Sequence, residues 1–127
     1  ILERPLATVQ DLVDLVMMTR GDYAKFKSDE KRFAAAQQEG FIKKQKSTDT
    51  LDRGTLAFAI MKCFHVTPGW LFRLTQADRY ALRDVQEAGI LPARFSTANR
   101  VSGAELIGAI SAAAEYQQEK ETWQTKH

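Results

Sequence analysis

The sequence has little that would serve covalent or metal chemistry. Its 127 residues include one cysteine, Cys63, so no disulfide can form within the chain, and two histidines, His65 and His127. No set of His, Cys, Asp and Glu residues has metal-ligand spacing, and no glycine-rich phosphate loop or G-x-S-x-G motif is present. Cys63 and His65 are two positions apart in a predicted helix, so their side chains point in different directions. We therefore expect no enzyme activity, no cofactor and no metal, with Cys63 as a small core residue.

Long apolar runs and a strong charge bias are also missing. No segment approaches the roughly 20 apolar residues of a membrane span. The formal net charge of +2 is far from the basic bias of most nucleic-acid binders, so no nucleic acid is expected as a partner. The first residues lack the basic and apolar regions of a signal peptide and the initiator Met, which suggests a mature form or an excised segment. Hydrophobic residues make up 44% and charged residues 27%, which is typical of one globular domain.

The fold class is predicted to be all-α, because no segment shows sustained period-2 alternation and several carry helical stripes. Capping signals mark the helix starts, including Thr8 with Asp11 and Ser102 with Glu105. Glycine marks several helix ends. These patterns predict helices over 9–19, 29–39, 53–65 and 76–88, the last of which starts with Thr75 and Asp78 as a capping pair. A short helix is predicted with Thr67 as N-cap and Pro68 as its first residue. The last helix is predicted to begin at Ser102 and to fray at the polar tail 117–127. The predicted core comprises Val13, Phe33, Phe58, Ile60, Leu82, Val85, Ile107 and Ile110.

An internal repeat is suggested by glycines at one offset. Gly40 corresponds to Gly89 and Gly54 to Gly103, in both cases 49 residues later. Apolar positions follow the same register, and the segment that begins at Thr8 resembles the one that begins at Ser102. One helix–loop–helix unit cannot bury its own apolar stripe, so neighbouring units must pack together. The chain is thus predicted to be a single domain, 1–127, with a partial unit at 6–21, units at 29–65 and 76–114, and a polar C-terminal tail at 117–127.

The second unit resembles the S-layer homology repeat. That family has an aromatic-containing helix, the pattern L-x-E-x-G-I, a loop with an aromatic residue, and I-T-R-A-E before an aliphatic helix. The first unit is similar over 39–42 and 52–56. The matching sequences of the second unit are R-Y-A-L-R-D-V-Q-E-A-G-I-L over 79–91, Phe95, and N-R-V-S-G-A-E-L over 99–106.

The resemblance implies a non-enzymatic cell-envelope module, structural or attaching to peptidoglycan or a wall polymer, and an extracytoplasmic location. The ligand-binding arginine of the family lies between Thr and Ala of T-R-A-E, where this alignment places Gly54 and Gly103. Arg53 and Arg100 are the nearest cationic substitutes, at helix starts that favour anions. Trp70 is expected to lie in the core between units, with a sugar-stacking face as the alternative.

Two other function classes remain open. The chain is alternatively a helical adaptor that binds an envelope or other protein through a face between units. A helix-turn-helix DNA-binding domain is the least favoured hypothesis, because the loops at 43–52 and 92–101 are far longer than a three- to four-residue turn. The basic residues over 25–46, which include Arg32, are interpreted as a solvated surface, with an anionic glycan, lipid headgroups or nucleic acid as alternative partners.

Overall fold

The computed structural model describes residues 6–66, 68–91 and 100–126, with side chains up to residue 122. Within these ranges the chain forms six α-helices and no β-strand, which confirms the predicted fold class. α5 packs on α3, α2 packs on α1, and α6 lies against α1 and, to a lesser extent, α3. The helices are α1 (Val9–Arg20), α2 (Asp29–Glu39), α3 (Arg53–Cys63), α4 (Trp70–Thr75), α5 (Asp78–Glu87) and α6 (Gly103–Lys126), and a 3-10 turn covers Tyr23–Lys25.

The predicted capping boxes form at the starts of α1 and α6. The hydroxyl of Thr8 accepts a hydrogen bond from the Asp11 amide at 3.2 Å, and the Asp11 carboxylate accepts one from the Thr8 amide at 2.9 Å. Ser102 and Glu105 make the equivalent pair, at 3.1 and 3.3 Å. Each box satisfies two backbone donors that have no partner within the helix, so it fixes where the helix begins.

Glycine ends three segments as predicted. Gly21, Gly40 and Gly89 have φ values of 81°, 90° and 80°. This left-handed region is open to glycine at little cost, whereas a side chain with a Cβ is strained there. The amides of Gly40 and Gly89 each donate to the carbonyl three residues earlier in the chain, that of Gln37 and that of Gln86 respectively. Gly40 is itself the C-cap of α2, whereas Gly89 follows Ala88, the C-cap of α5.

The start of α4 differs from the prediction. α4 begins at Trp70, with Gly69 as N-cap, so Pro68 is not its first residue, and Thr67 lies outside the described residues. The Gly69 amide instead donates to the Asp84 carboxylate at 2.8 Å. This contact with α5 joins residues 15 positions apart and sets the helix start, which a local signal does not reveal.

Three further helix boundaries were also predicted wrongly. α3 ends at Cys63 rather than at residue 65. α5 begins at Asp78 without a side-chain cap, because the Thr75 hydroxyl donates to the Leu71 carbonyl at 2.8 Å and so belongs to the end of α4. The tail after residue 116 continues α6 as far as Lys126 instead of fraying.

The hydrophobic core is centred on α3, in which every residue from 53 to 61 is buried. Phe33 is only half-buried, packed against the core, and the prediction for Ile107 is wrong because its side chain is 59% exposed. The remaining six predicted core residues are buried: Val13, Phe58, Ile60, Leu82, Val85 and Ile110.

Three segments that precede helices meet at a central junction. The Ala7 amide donates to the Val101 carbonyl at 2.8 Å, the Val101 amide to the Leu51 carbonyl at 3.0 Å, and the Leu51 amide to the Ala7 carbonyl at 2.8 Å. The bonds close a ring, here called the three-way junction, and each of its residues is at most 2% exposed. The residue after each member caps a helix: Thr8 for α1, Asp52 for α3 and Ser102 for α6.

The exposure of Ile107 follows from this arrangement. Counted from the caps, Ile107 has the position in α6 that Val13 has in α1 and Ala57 in α3, and both of those residues are fully buried. α2 packs on α1 and α5 packs on α3, but in the part of the chain that the structure describes no comparable helix follows α6. α6 therefore buries only the side that faces α1 and α3.

Candidate functional site

Arg53 lies in the first turn of α3 and its side chain is buried, with 6% exposure. Its Nη2 atom donates to Oε2 of Glu105, which belongs to the capping box of α6. The N-cap Asp52 accepts from the Thr55 amide at 2.7 Å and so fixes the turn that carries Arg53. The ion pair joins the starts of α3 and α6 beside the three-way junction.

The cap residues revise the alignment of the two helix starts. Asp52 and Ser102 are the N-caps and are 50 residues apart, whereas the helix-ending glycines are 49 apart. Gly54 is therefore not equivalent to Gly103. Arg53 is the first residue of α3, as Gly103 is the first residue of α6, so these two residues correspond. In α3 the residue directly after the cap is an arginine, whereas in α6 it is Gly103.

Arg100 is exposed and lies next to the same junction. Its backbone forms a bridge with Asp52, so the structure brings Arg53 and Arg100 to one region. The two side chains differ in availability, because Arg53 is buried in an ion pair and Arg100 faces solvent. Most of the second long loop, 92–99, lies outside the described residues.

Trp70 is not a core residue, contrary to its expected burial. It is the first residue of α4 and its side chain is 69% exposed. Phe72, two positions later, is 4% exposed and makes an edge-to-face contact with Phe58 at a centroid distance of 5.8 Å. The short α4 has room for one apolar face against the core, and Phe72 occupies it while Trp70 points outward.

Trp70 borders a pocket of about 210 Å³ between α4 and α5. Its wall carries polar side chains of both signs as well as a second aromatic ring. Neither Arg53 nor Arg100 is among the residues that line it, so the three predicted site residues fall into two separate regions. The lining residues are Gly69, Trp70, Leu71, Tyr80, Arg83, Asp84 and Glu87.

Four lining residues of α5 were not anticipated from the sequence. Tyr80, Arg83, Asp84 and Glu87 follow the spacing i, i+3, i+4, i+7, which places them on one side of a helix. Arg83 Nε donates to Glu87 at 3.4 Å, so the two side chains lie along the same surface. The polar stripe was visible in the sequence, but its position beside Trp70 depends on the packing of α4 against α5.

Cys63 is a core residue, as predicted. Its side chain is buried, and burial raises the pKa of the thiol to about 12. A thiolate is the nucleophilic form of cysteine, so this residue is poorly suited to covalent chemistry. Among the residues that the structure describes, no group of three or more His, Cys, Asp and Glu side chains could hold a metal ion.

Several of the basic residues between 25 and 46 make internal contacts. Arg32 is buried, donates to Asp14 at 2.8 Å and lies over the Tyr23 ring at 4.1 Å. Lys43 Nζ donates to Asp78 at 2.8 Å and lies 4.0 Å from the centre of the Phe58 ring. This basic segment thus helps to hold α2, α3 and α5 in place.

No family model, curated protein or solved structure matches the chain. None of the helices in the described ranges has the length and apolar character needed to cross a membrane. Function must therefore be inferred from the sites themselves.

Proposed function

We propose that the protein is a non-enzymatic S-layer-homology-like module of the cell envelope that binds a wall glycan in the pocket beside Trp70. The observation that carries the proposal is the exposed indole at the edge of a pocket with acidic and basic walls. The flat face of an aromatic ring packs against the apolar face of a pyranose, while hydroxyl groups need donors and acceptors around them. Tyr80, Arg83, Asp84 and Glu87 supply both kinds of group.

The likeness to S-layer homology repeats is supported by three helix starts around one junction. The caps Thr8, Asp52 and Ser102 each follow a member of the hydrogen-bonded ring, and the fourth helical residue after each cap is a buried leucine. Arg53 follows its cap directly, as the arginine does in T-R-A-E. Its pairing with Glu105 favours a role in joining helices, so glycan contact is assigned to the Trp70 pocket.

Binding of purified peptidoglycan carrying its wall polymer would test the proposal. The parent should bind, and Trp70→Ala should weaken the apparent affinity at least tenfold, since buried aromatic anchors often contribute about 2 kcal/mol or more to binding. Arg83→Ala should also weaken it. Arg100→Ala tests whether the junction contributes. Arg53→Ala is less informative, because it removes a buried side chain that joins α3 to the half-exposed Glu105 of α6 and so perturbs the fold.

Leu74→Ala is the matched control. Leu74 lies one turn after Trp70 on α4, is 74% exposed, and is not one of the residues that line the pocket. Glycan stacking therefore predicts normal binding by this variant. Failure of the parent to bind, or equal binding by the parent and Trp70→Ala, would contradict the glycan assignment.

A protein-binding adaptor is the second candidate, and the same helix favours it. Trp70 and Leu74 form an exposed apolar pair on one side of α4, which is unusual for a surface that contacts only water. A protein partner would bury both side chains. Loss of partner binding in both Trp70→Ala and Leu74→Ala, with no glycan binding by the parent, would place the adaptor function first.

A further inference from the structure

A second and larger cavity lies on the other side of α4, beside the end of α3 and the C-terminal part of α6. Its volume is about 450 Å³, compared with about 210 Å³ beside Trp70. It has an apolar floor, formed by Met61, Val66, Pro68 and Phe72. Three of these floor residues, all except Pro68, are no more than 6% exposed, so the floor is part of the packed core. The volume falls in the range of small-molecule pockets, about 300–1,000 Å³.

The rim of this cavity is cationic. Lys62, Arg73 and Lys120 come from three different helices and meet at the opening, and none of the lining residues that the structure describes is acidic. Lys62 Nζ lies 5.5 Å from the ring centre of Phe58 and 6.0 Å from that of Phe72, which holds it above the floor. Lys120 Nζ donates to the His65 carbonyl at 3.0 Å, which ties α6 to the opposite edge. Positive groups on a concave surface with low-dielectric walls concentrate the field and attract anions.

Backbone strain is located at the same cavity. His65 and Gln76 both have φ = 55°, and among the described residues they are the non-glycine residues with positive φ. Both line the cavity. The left-handed conformation costs a non-glycine residue of order 1–2 kcal/mol, and such residues concentrate at functional sites. Gln76 is the C-cap of α4, and its carboxamide donates to the Phe72 carbonyl at 3.2 Å. His65 places an imidazole, a hydrogen-bonding group, at the rim where glycine would place none.

We infer that this cavity binds a small organic oxyanion, a phosphate or carboxylate carried on an apolar group. The oxyanion is held by Lys62, Arg73 and Lys120, and Arg73 offers the planar donor pair that fits two oxygens at once. The apolar group packs on Val66 and Phe72. This site is separate from the Trp70 pocket, and the inference does not depend on glycan binding.

Isothermal titration of the full chain at low salt and pH 7 tests the inference, with phenyl phosphate and benzoate as probes. At least one of the two should bind saturably and more tightly than inorganic phosphate, since only they reach the floor. Uncharged phenol should not bind. Arg73→Ala and Lys62→Ala should each weaken the bound probe about tenfold or more, because a hydrogen bond to a charged group contributes about 1.5–3 kcal/mol.

Arg79→Ala is the matched control, because Arg79 is an exposed arginine on the neighbouring α5 that does not line the cavity. The affinity of Arg79→Ala for the probe should stay within about twofold of that of the parent. Circular dichroism should show that Arg73→Ala, Lys62→Ala and Arg79→Ala are all folded. Absence of saturable binding by the parent would overturn the inference. So would an equal loss in Arg79→Ala, which would indicate attraction by net charge alone, or unchanged binding in both Arg73→Ala and Lys62→Ala.

Discussion

Two isoleucines one turn apart on α6 offer a sharp test of the packing. Ile110 is 2% exposed and Ile107 is 59% exposed. Replacing Ile110 with Ala removes three carbon atoms from the core, at about 0.8 kcal/mol for each buried methylene, which gives about 2.4 kcal/mol of transfer free energy. The cavity left behind adds a further cost, and the total loss of stability for such a substitution is about 2–5 kcal/mol. Ile107→Ala should change the free energy of unfolding by less than about 0.5 kcal/mol.

The comparison controls for helix propensity, because alanine is the better helix former by a few tenths of a kcal/mol at both positions. Urea unfolding followed by circular dichroism at 222 nm gives the free energy of unfolding from the midpoint and the slope, provided that the slope is unchanged. For a domain of this size, about 4 °C per kcal/mol would lower the melting temperature of Ile110→Ala by about 8–20 °C. A loss in Ile107→Ala as large as that in Ile110→Ala would mean that another element covers this side of α6, and the reasoning would be wrong.

Two further predictions concern glycine and cysteine. Gly40→Ala and Gly89→Ala should each lower the free energy of unfolding by about 1–2 kcal/mol, because both positions have positive φ. Gly108→Ala, inside α6 with open space around it, should raise the free energy of unfolding by about 0.5–1 kcal/mol. Thermal melts in which Gly108→Ala is not the most stable of the three variants would contradict this. Cys63 should react with iodoacetamide at pH 8 much more slowly in the native protein than in urea, because a pKa of about 12 instead of 9.0 leaves roughly a thousandfold less thiolate, and equal labelling rates by mass spectrometry would disprove its burial.

The features predicted correctly from the sequence are those that a few neighbouring residues determine. The capping box of Thr8 and Asp11 and the glycine end at Gly40 involve no more than four or five positions, so their signals are complete in the sequence. The start of α4 was missed because its N-cap amide bonds to Asp84 on another helix. Short elements depend more on such tertiary contacts than long ones do.

The candidate site was predicted less well than the fold. The glycine spacing matched Gly54 to Gly103, whereas the Asp52 side chain caps α3 and makes Arg53 the first residue of that helix. Trp70 was assigned to the core because aromatic residues at helical spacing usually pack inside. The six-residue α4 buries one side against the core, and Phe72 lies on that side, in contact with the Phe58 ring.

The three-way junction also determines how the chain can fold. Its members, Ala7, Leu51 and Val101, are separated by 44 and 50 residues. The ring therefore closes only when the ends of two long chain segments come together. Non-local contacts of this kind slow folding relative to a simple helical hairpin bundle. Because each member donates once and accepts once, withdrawal of one segment would leave a donor and an acceptor unpaired in the other two. The helices of this protein should therefore gain and lose their order as one cooperative unit, and a fragment that contains only α2 and α3 should not fold by itself.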